Sequence, residues 1–175
     1  MRSFGGCTFE NGLYRVHTEA SAEAATDMVG VAFPEFRGRV TCFGFDWLGR
    51  QFALTQNSAQ LGNVEVHMFE PGTGQALEIP VPFTRFHDGE LVEYTEEALA
   101  LGFFTDWMST SGKTVIEFDQ CLGYRVPLFL GGRDDVSNLE MSDIDVYWTI
   151  MGQLRLQAMK LPEGTSISGV HVEKE

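Results

Sequence analysis

Residues 122–154 read LGYRVPLFLGGRDDVSNLEMSDIDVYWTIMGQL, and they combine an apolar strand, a glycine turn, an acidic loop and an aromatic helix. The apolar run over residues 121–130 predicts a β-strand, which Gly131 and Gly132 would end in a turn. The stretch holds no recognisable set of catalytic residues. Together with the strong negative charge of the whole chain, it indicates a binding surface rather than an active site.

The clearest predicted helix covers residues 142–159, where apolar residues recur at three- and four-residue spacing. Ser142 is expected to cap its first turn, with Asp145 three residues on as in a capping box. Upstream, residues 94–108 predict a helix with Leu99 and Trp107 on one side.

A further helix is predicted over residues 18–29, a stretch rich in alanine and glutamate. Either Thr18 or Ser21 has the side chain needed to cap its N-terminus. Gly30 and Pro34 follow the stretch and are expected to bound the helix.

Strands are predicted in a cluster between these helices. Residues 39–54 read as two paired strands with a turn at 46–49, and residues 64–69 alternate between apolar and polar side chains. Residues 76–81 predict an edge strand, because prolines at its end cannot donate to a neighbour. Strict β-α alternation is absent, which favours an α+β fold with a largely antiparallel sheet and helices packed on it.

Chain length predicts a single α+β domain over residues 1–162. Residues 163–175 carry weak signals and are expected to form a mobile C-terminal tail. The chain has 14 Phe, which predicts a core filled largely by aromatic rings.

The pentapeptide from Asp46 to Arg50 (Asp-Trp-Leu-Gly-Arg) is the most distinctive short motif. In a functional interpretation, Arg50 would grip a carboxylate and Trp47 would anchor a partner. In a structural interpretation, Asp46 caps a tight turn, Gly49 supplies a positive φ, and Trp47 closes the edge of the core. The structural interpretation is favoured.

Charge sets the class of partner. The chain has 25 Asp and Glu against 12 Lys and Arg, a formal net charge of −13. Such a surface repels the phosphates of nucleic acid and anionic membranes, and it speeds encounter with a basic protein. The alternative is that the charge serves solubility alone.

Ten of the 25 Asp and Glu fall into two runs that contain no Lys or Arg between their members. We predict that both runs contribute to a partner-binding surface, although a charge run is more often a solvated face. The first run is Asp88, Glu90, Glu93, Glu96 and Glu97; the second is Asp134, Asp135, Glu140, Asp143 and Asp145.

Motifs of catalysis and cofactor binding are missing from the sequence. The four histidines lack metal-ligand spacing, and neither a complete phosphate-binding loop nor a nucleophile elbow is present. We therefore predict no enzyme, no metal and no cofactor. The three cysteines are far apart and none forms Cys-x-x-Cys, which fits reduced, buried thiols. With no signal peptide and no apolar run of membrane-spanning length, the expected location is the cytoplasm.

Several longer motifs resemble one bacterial family, the type VI secretion immunity proteins called Tdi, over about residues 5–154. They include GGCTF at 5–9, FDWLGRQFA at 45–53, MFEPGTG at 68–74 and GYRVPLFLGG at 123–132. The matched residues that resemble fold determinants are Asp46, Trp47, Gly49, Arg50, Gly123, Tyr124, Pro127, Gly131, Gly132, Tyr147 and Trp148.

The resemblance implies an immunity protein that binds and neutralises a cognate secreted toxin, a DNase for its best-known members. It implies no catalytic residue. Two alternatives remain. One is a protein-interaction or regulatory domain of the SUKH type, without a toxin. The other is an enzyme or small-ligand domain with a site assembled from Asp46, Arg50 and Tyr124.

Overall fold

A computed structural model of the chain describes residues 4–55 and 64–162. The predicted tail at 163–175 lies outside these residues. The strands are β1 (Thr8–Phe9), β2 (Tyr14–Val16), β3 (Val40–Asp46), β4 (Gln51–Thr55), β5 (Glu65–Glu70), β6 (Gln75–Pro82), β7 (Gln120–Tyr124) and β8 (Leu139–Asp143). The α-helices are α1 (Glu19–Ala32), α2 (Phe83–Arg85), α3 (Leu91–Glu93), α4 (Thr95–Leu99), α5 (Leu101–Ser111) and α6 (Ile144–Ala158).

Strands β1 to β6 form one antiparallel sheet in which spatial order follows chain order. Strands β7 and β8 form a separate antiparallel hairpin. The predicted α+β class with an antiparallel sheet is therefore confirmed. Strand β6 lies at the edge of the sheet, as its prolines predicted.

Helix α1 begins where the sequence indicated. Thr18 is its N-cap and accepts a hydrogen bond from the backbone of Ser21, whose side chain in turn accepts from Thr18. Helix α6 is capped by Asp143, not by Ser142 as predicted: the Asp143 carboxylate accepts from the backbone of Asp145 and Val146. Asp143 is the last residue of β8, directly precedes the first helical residue Ile144 and has the extended backbone that an N-cap needs, whereas Ser142 lies one residue further back in the strand.

Two predicted elements differ from the structure: one helix is broken in two, and one strand ends early. The helix over 94–108 is divided into α4 and α5, because Ala100 adopts a left-handed conformation with φ of 52°. The strand over 121–130 ends at Tyr124, and Leu128–Leu130 forms a 3-10 turn after Pro127. Proline removes a backbone donor, which explains why the strand does not continue.

The central strands β3 and β4 of the large sheet are buried on both faces. One face packs against α1 and α6 through a cluster that includes Phe33, Phe45 and Trp148. The other face packs against the helical residues 83–111 through a cluster that includes Phe52 and Trp107. The aromatic core that the Phe count predicted is confirmed, since many rings are almost fully buried: Phe33, Phe43, Phe45, Phe52, Phe69 and Phe86.

No helix within the described residues is both long enough and apolar enough to span a bilayer.

Candidate partner-binding surface

The turn between β3 and β4 is held by Asp46, which is completely buried. Its carboxylate accepts hydrogen bonds from the backbone N–H groups of Leu48 (3.1 Å) and Arg50 (2.9 Å). It also accepts from Arg50 Nε at 2.5 Å. Gly49 supplies the positive φ of 73° that the turn requires. These contacts agree with the structural interpretation of the motif.

The same turn fixes the segment that carries the first acidic run. Trp47 Nε1 donates to the carbonyl oxygen of Leu99 at 2.7 Å, and an Arg50 guanidinium nitrogen donates to that of Ala98 at 3.0 Å. On the opposite side, Trp148 Nε1 donates to Gly49 O at 2.7 Å. Both tryptophans are almost fully buried, so each anchors the interior and is not offered to a partner.

Asp46, Arg50 and Tyr124 therefore do not form the open site required by the alternative in which the chain is an enzyme or a small-ligand domain. Asp46 and Arg50 are closed on each other, and neither of the two cavities described below is lined by any of the three residues. Burial would lower the pKa of Arg50, but the negative charges of Asp46 and Glu70 together more than offset this, so the pKa of Arg50 is raised. The pair is a structural ion pair.

The β7–β8 hairpin is attached to α6 through its aromatic residues. A Cβ added to Gly123 would lie 2.5 Å from the ring of Tyr147, so only glycine allows this ring to lie against β7. The Tyr147 hydroxyl accepts from the backbone of Tyr124 at 3.2 Å. The Tyr124 hydroxyl donates to Asp134 at 2.6 Å, which ties the acidic loop to the hairpin.

The loop after β7 is a compact turn. Gly131 has a φ of 85° with open space around it, whereas a Cβ on Gly132 would overlap the carbonyl oxygen of Val126. The Pro127 carbonyl accepts from both Leu130 and Gly132 at 3.0 Å. The matched residues named as fold determinants each have a contact or a backbone geometry in the structure, as described above.

The second acidic run serves local structure. Asp134 accepts from Tyr124, and Asp135 caps a 3-10 turn through Ser137 and pairs with Arg133 at 2.7 Å. The hydrogen bond from Ser137 lowers the pKa of Asp135. Two further members have structural roles: Glu140 pairs with Arg125, and Asp143 caps α6. Asp145 is exposed in the first turn of α6.

The first acidic run presents more unneutralised charge. Asp88, Glu93, Glu96 and Glu97 are exposed, and Glu90 is half-buried. Within the part of the chain that the structure describes, no Lys or Arg forms an ion pair with any of them. Glu96 has a structural role as well, since it accepts from the backbone of Gly102 at the start of α5 (2.9 Å).

A groove of about 630 Å³ lies beside the first acidic run, and sequence analysis missed it. We call it the Tyr14 groove. One wall comes from residues 4–16 together with Phe43, and the other comes from residues 83–99. The Tyr14 hydroxyl and His87 Nε2 are 3.0 Å apart between the walls. Burial strongly raises the pKa of Tyr14 and lowers that of His87, so both side chains are neutral near pH 7.

A second cavity, of about 680 Å³, lies along α1, and its lining residues include the acids Glu23 and Asp27. His17 lines it but is already hydrogen-bonded to Ser21 (3.0 Å) and Gln51 (2.8 Å). Among residues 4–55 and 64–162, no group of three or more His, Cys, Asp or Glu side chains is arranged to hold a metal ion.

The three cysteines are free thiols, and two of them are buried while Cys7 is partly exposed. Burial raises the pKa of Cys42 and of Cys121 to about 12, so neither forms a reactive thiolate near neutral pH.

Comparison with protein families gives one match in the C-terminal part of the chain. Residues 88–155 match the family described as T6SS immunity protein Tdi1, C-terminal. The family resemblance inferred from sequence is thereby confirmed for this region, which includes the first acidic run, the hairpin and most of α6.

A comparison with solved structures supports the fold. The chain is similar to the crystal structure of Atu4351 from Agrobacterium tumefaciens, with a TM-score of 0.58 and 16% sequence identity. The similarity covers 83% of this chain and 69% of that chain. At this identity it is a likeness of fold. No curated protein was found to match the chain.

Proposed function

We propose that this chain, whose residues 88–155 match the C-terminal domain of the Tdi1 immunity family, binds a cognate secreted toxin in the cytoplasm and blocks it with a negatively charged face. The face is centred on the exposed acids Asp88, Glu93 and Glu97. The observation that carries the proposal is that these carboxylates have no ion-pair partner among the described residues, within the region that matches the immunity family.

The proposed target is the basic surface of the toxin. A nuclease must present positive charge to DNA, and an acidic protein can occupy that surface in place of phosphate groups. The resemblance to the Tdi family supports a DNase as the toxin. The second acidic run contributes less, because Arg133 and Arg125 neutralise two of its members and capping engages another.

Co-expression tests the function directly. The product of the gene immediately upstream is produced in a bacterial host with and without this chain, and the chain is then used to capture that product. We expect the product to be toxic alone, to be harmless with this chain, and to be recovered in a stable complex. A harmless product, or a toxic one that is neither bound nor neutralised, would contradict the proposal.

Charge reversal tests the proposed face. The double variant Glu93→Lys/Glu97→Lys should weaken binding mainly through a slower association rate, with a weaker dependence on salt. Glu23→Lys/Asp27→Lys is the matched control, because it makes the same change in net charge at two exposed acids of α1. Equal losses for the two double variants would mean that only overall charge matters, and that this face is not the contact.

A further inference from the structure

The Tyr14 groove has an unusually apolar mouth for an exposed surface. Phe4, Phe9 and Val92 line it, and their exposed fractions are 59%, 42% and 69%. Further inside, the lining is dominated by buried apolar side chains such as Leu13 and Leu99. Scattered exposed apolar residues are normal, but a contiguous apolar groove marks a site where another molecule binds.

The walls of the groove are held in place by contacts behind them. Phe86 belongs to the wall formed by residues 83–99 and is fully buried. Its ring packs against the rings of Phe43 and Phe52, with centroid distances of 5.4 and 5.2 Å. The far end of the same segment is fixed by the hydrogen bonds from Trp47 and Arg50 described above. A groove fixed at both ends is preformed, which lowers the entropic cost of binding.

Charge restricts what the groove accepts. Glu10 and Asp88 belong to its lining, none of its described lining residues is Lys or Arg, and Glu93 is exposed on the same segment. This negative rim repels fatty acids, phosphates and anionic membranes. A second copy of the chain carries the same charge of −13 and is repelled as well. Charge complementarity therefore favours an apolar group with positive charge beside it as the occupant.

We propose that the Tyr14 groove is the anchor site for the cognate toxin, and that it receives one or more large apolar side chains from a toxin segment flanked by Lys or Arg. This inference rests on the proposed function and locates it. The apolar side chains would supply the slow dissociation that buried anchors give at interfaces, while the acids on the rim would guide the basic flanks.

The test uses the product of the gene immediately upstream, once co-expression has shown it to be toxic, and two matched lysine variants. Val92→Lys places a long charged side chain at the mouth of the groove, and Val31→Lys makes the same change at a valine of α1 that is 56% exposed. Both positions are exposed, so both variants are expected to fold with nearly unchanged Tm. Phe9→Ala is a second groove variant that adds no charge.

We expect Val92→Lys to weaken toxin binding about tenfold or more, mainly through faster dissociation. Phe9→Ala should act in the same direction, and Val31→Lys should stay within about twofold of the unmodified chain. If the unmodified chain binds the toxin and both groove variants bind equally well, the anchor site is refuted while the proposed function stands. If the unmodified chain does not bind, the proposed function fails and the anchor site fails with it.

Sedimentation of the chain alone distinguishes a second copy as the occupant. We expect a monomer at micromolar concentration. A dimer that Val92→Lys dissociates and Val31→Lys does not would show that the groove binds another copy of the chain, and this outcome would overturn the proposal.

Discussion

Replacing Asp46 with Asn tests how strongly the β3–β4 turn stabilises the fold. The amide oxygen can still accept from the backbone of Leu48 and Arg50, so the turn keeps its cap. What disappears is the negative charge 2.5 Å from Arg50 Nε. Since Arg50 is almost fully buried, its guanidinium loses its direct ion-pair partner and keeps only the more distant Glu70 carboxylate near it. Removing one partner of a buried pair costs about 3–5 kcal/mol of the free energy of unfolding.

The expected loss is a large share of the total stability of a domain, which is about 5–15 kcal/mol. For a chain of this size, it corresponds to a decrease in Tm of roughly 6–20 °C. Urea unfolding followed by tryptophan fluorescence measures the loss. The reporters Trp47, Trp107 and Trp148 are all buried, and Trp47 lies next to the altered residue.

The matched control is Glu140→Gln, which removes one carboxylate charge from an ion pair in water. Glu140 and Arg125 are 3.3 Å apart, and their side chains are more than half exposed. Such a pair contributes about 0–1 kcal/mol. If Asp46→Asn costs no more than Glu140→Gln, the buried pair does not hold the turn, and the account of how residues 98–99 are fixed is wrong.

Two further predictions concern stability. Gly131→Ala should lower the free energy of unfolding by about 1 kcal/mol, from the positive φ alone. Gly132→Ala should lower it by about 3 kcal/mol, because its Cβ would overlap the carbonyl oxygen of Val126. Equal urea midpoints for the two variants would contradict this. Burial lowers the pKa of His17 and of His87, so the unfolded chain takes up protons near pH 6.5 before the folded chain does. The contribution of the two neutral histidines to stability should be full above that pH and decrease as the pH falls through the folded-state pKa values. The double variant His17→Gln/His87→Gln should therefore show a smaller decrease in urea midpoint between about pH 7 and 5.5. An unchanged slope would refute this prediction.

Local features of the sequence were sufficient for much of the fold. The Asp46–Gly49 turn, the edge position of β6 and the capping of α1 by Thr18 all depend on side chains close to the backbone that they shape. Local sequence was insufficient where tertiary contacts decide. Ala100 has a strong intrinsic preference for helix, yet the hydrogen bond that its neighbour Leu99 accepts from Trp47 helps to fix the chain at a break.

The acidic runs show the corresponding limit for the site. Sequence alone gave equal weight to both runs, because it records charge and not hydrogen-bond partners. The structure assigns capping to Asp135 and Asp143, and a tyrosine partner to Asp134. It leaves Glu93 and Glu97 exposed. A count of unpaired carboxylates therefore distinguishes the two runs, and such a count requires coordinates.

The Tyr14 groove is formed only in part by residues 88–155, the region that matches the family. The match begins at residue 88, but one wall of the groove consists of residues 4–16 and Phe43, which precede it. The segment that forms the other wall is fixed by Trp47 and Arg50, which also precede it. A fragment limited to residues 88–155 would keep most of the first acidic run and lose both the apolar wall and the donors that hold residues 98–99. We infer that toxin recognition requires the antiparallel sheet and the family region as one folding unit, since charge without a fixed apolar groove gives fast encounter but weak retention.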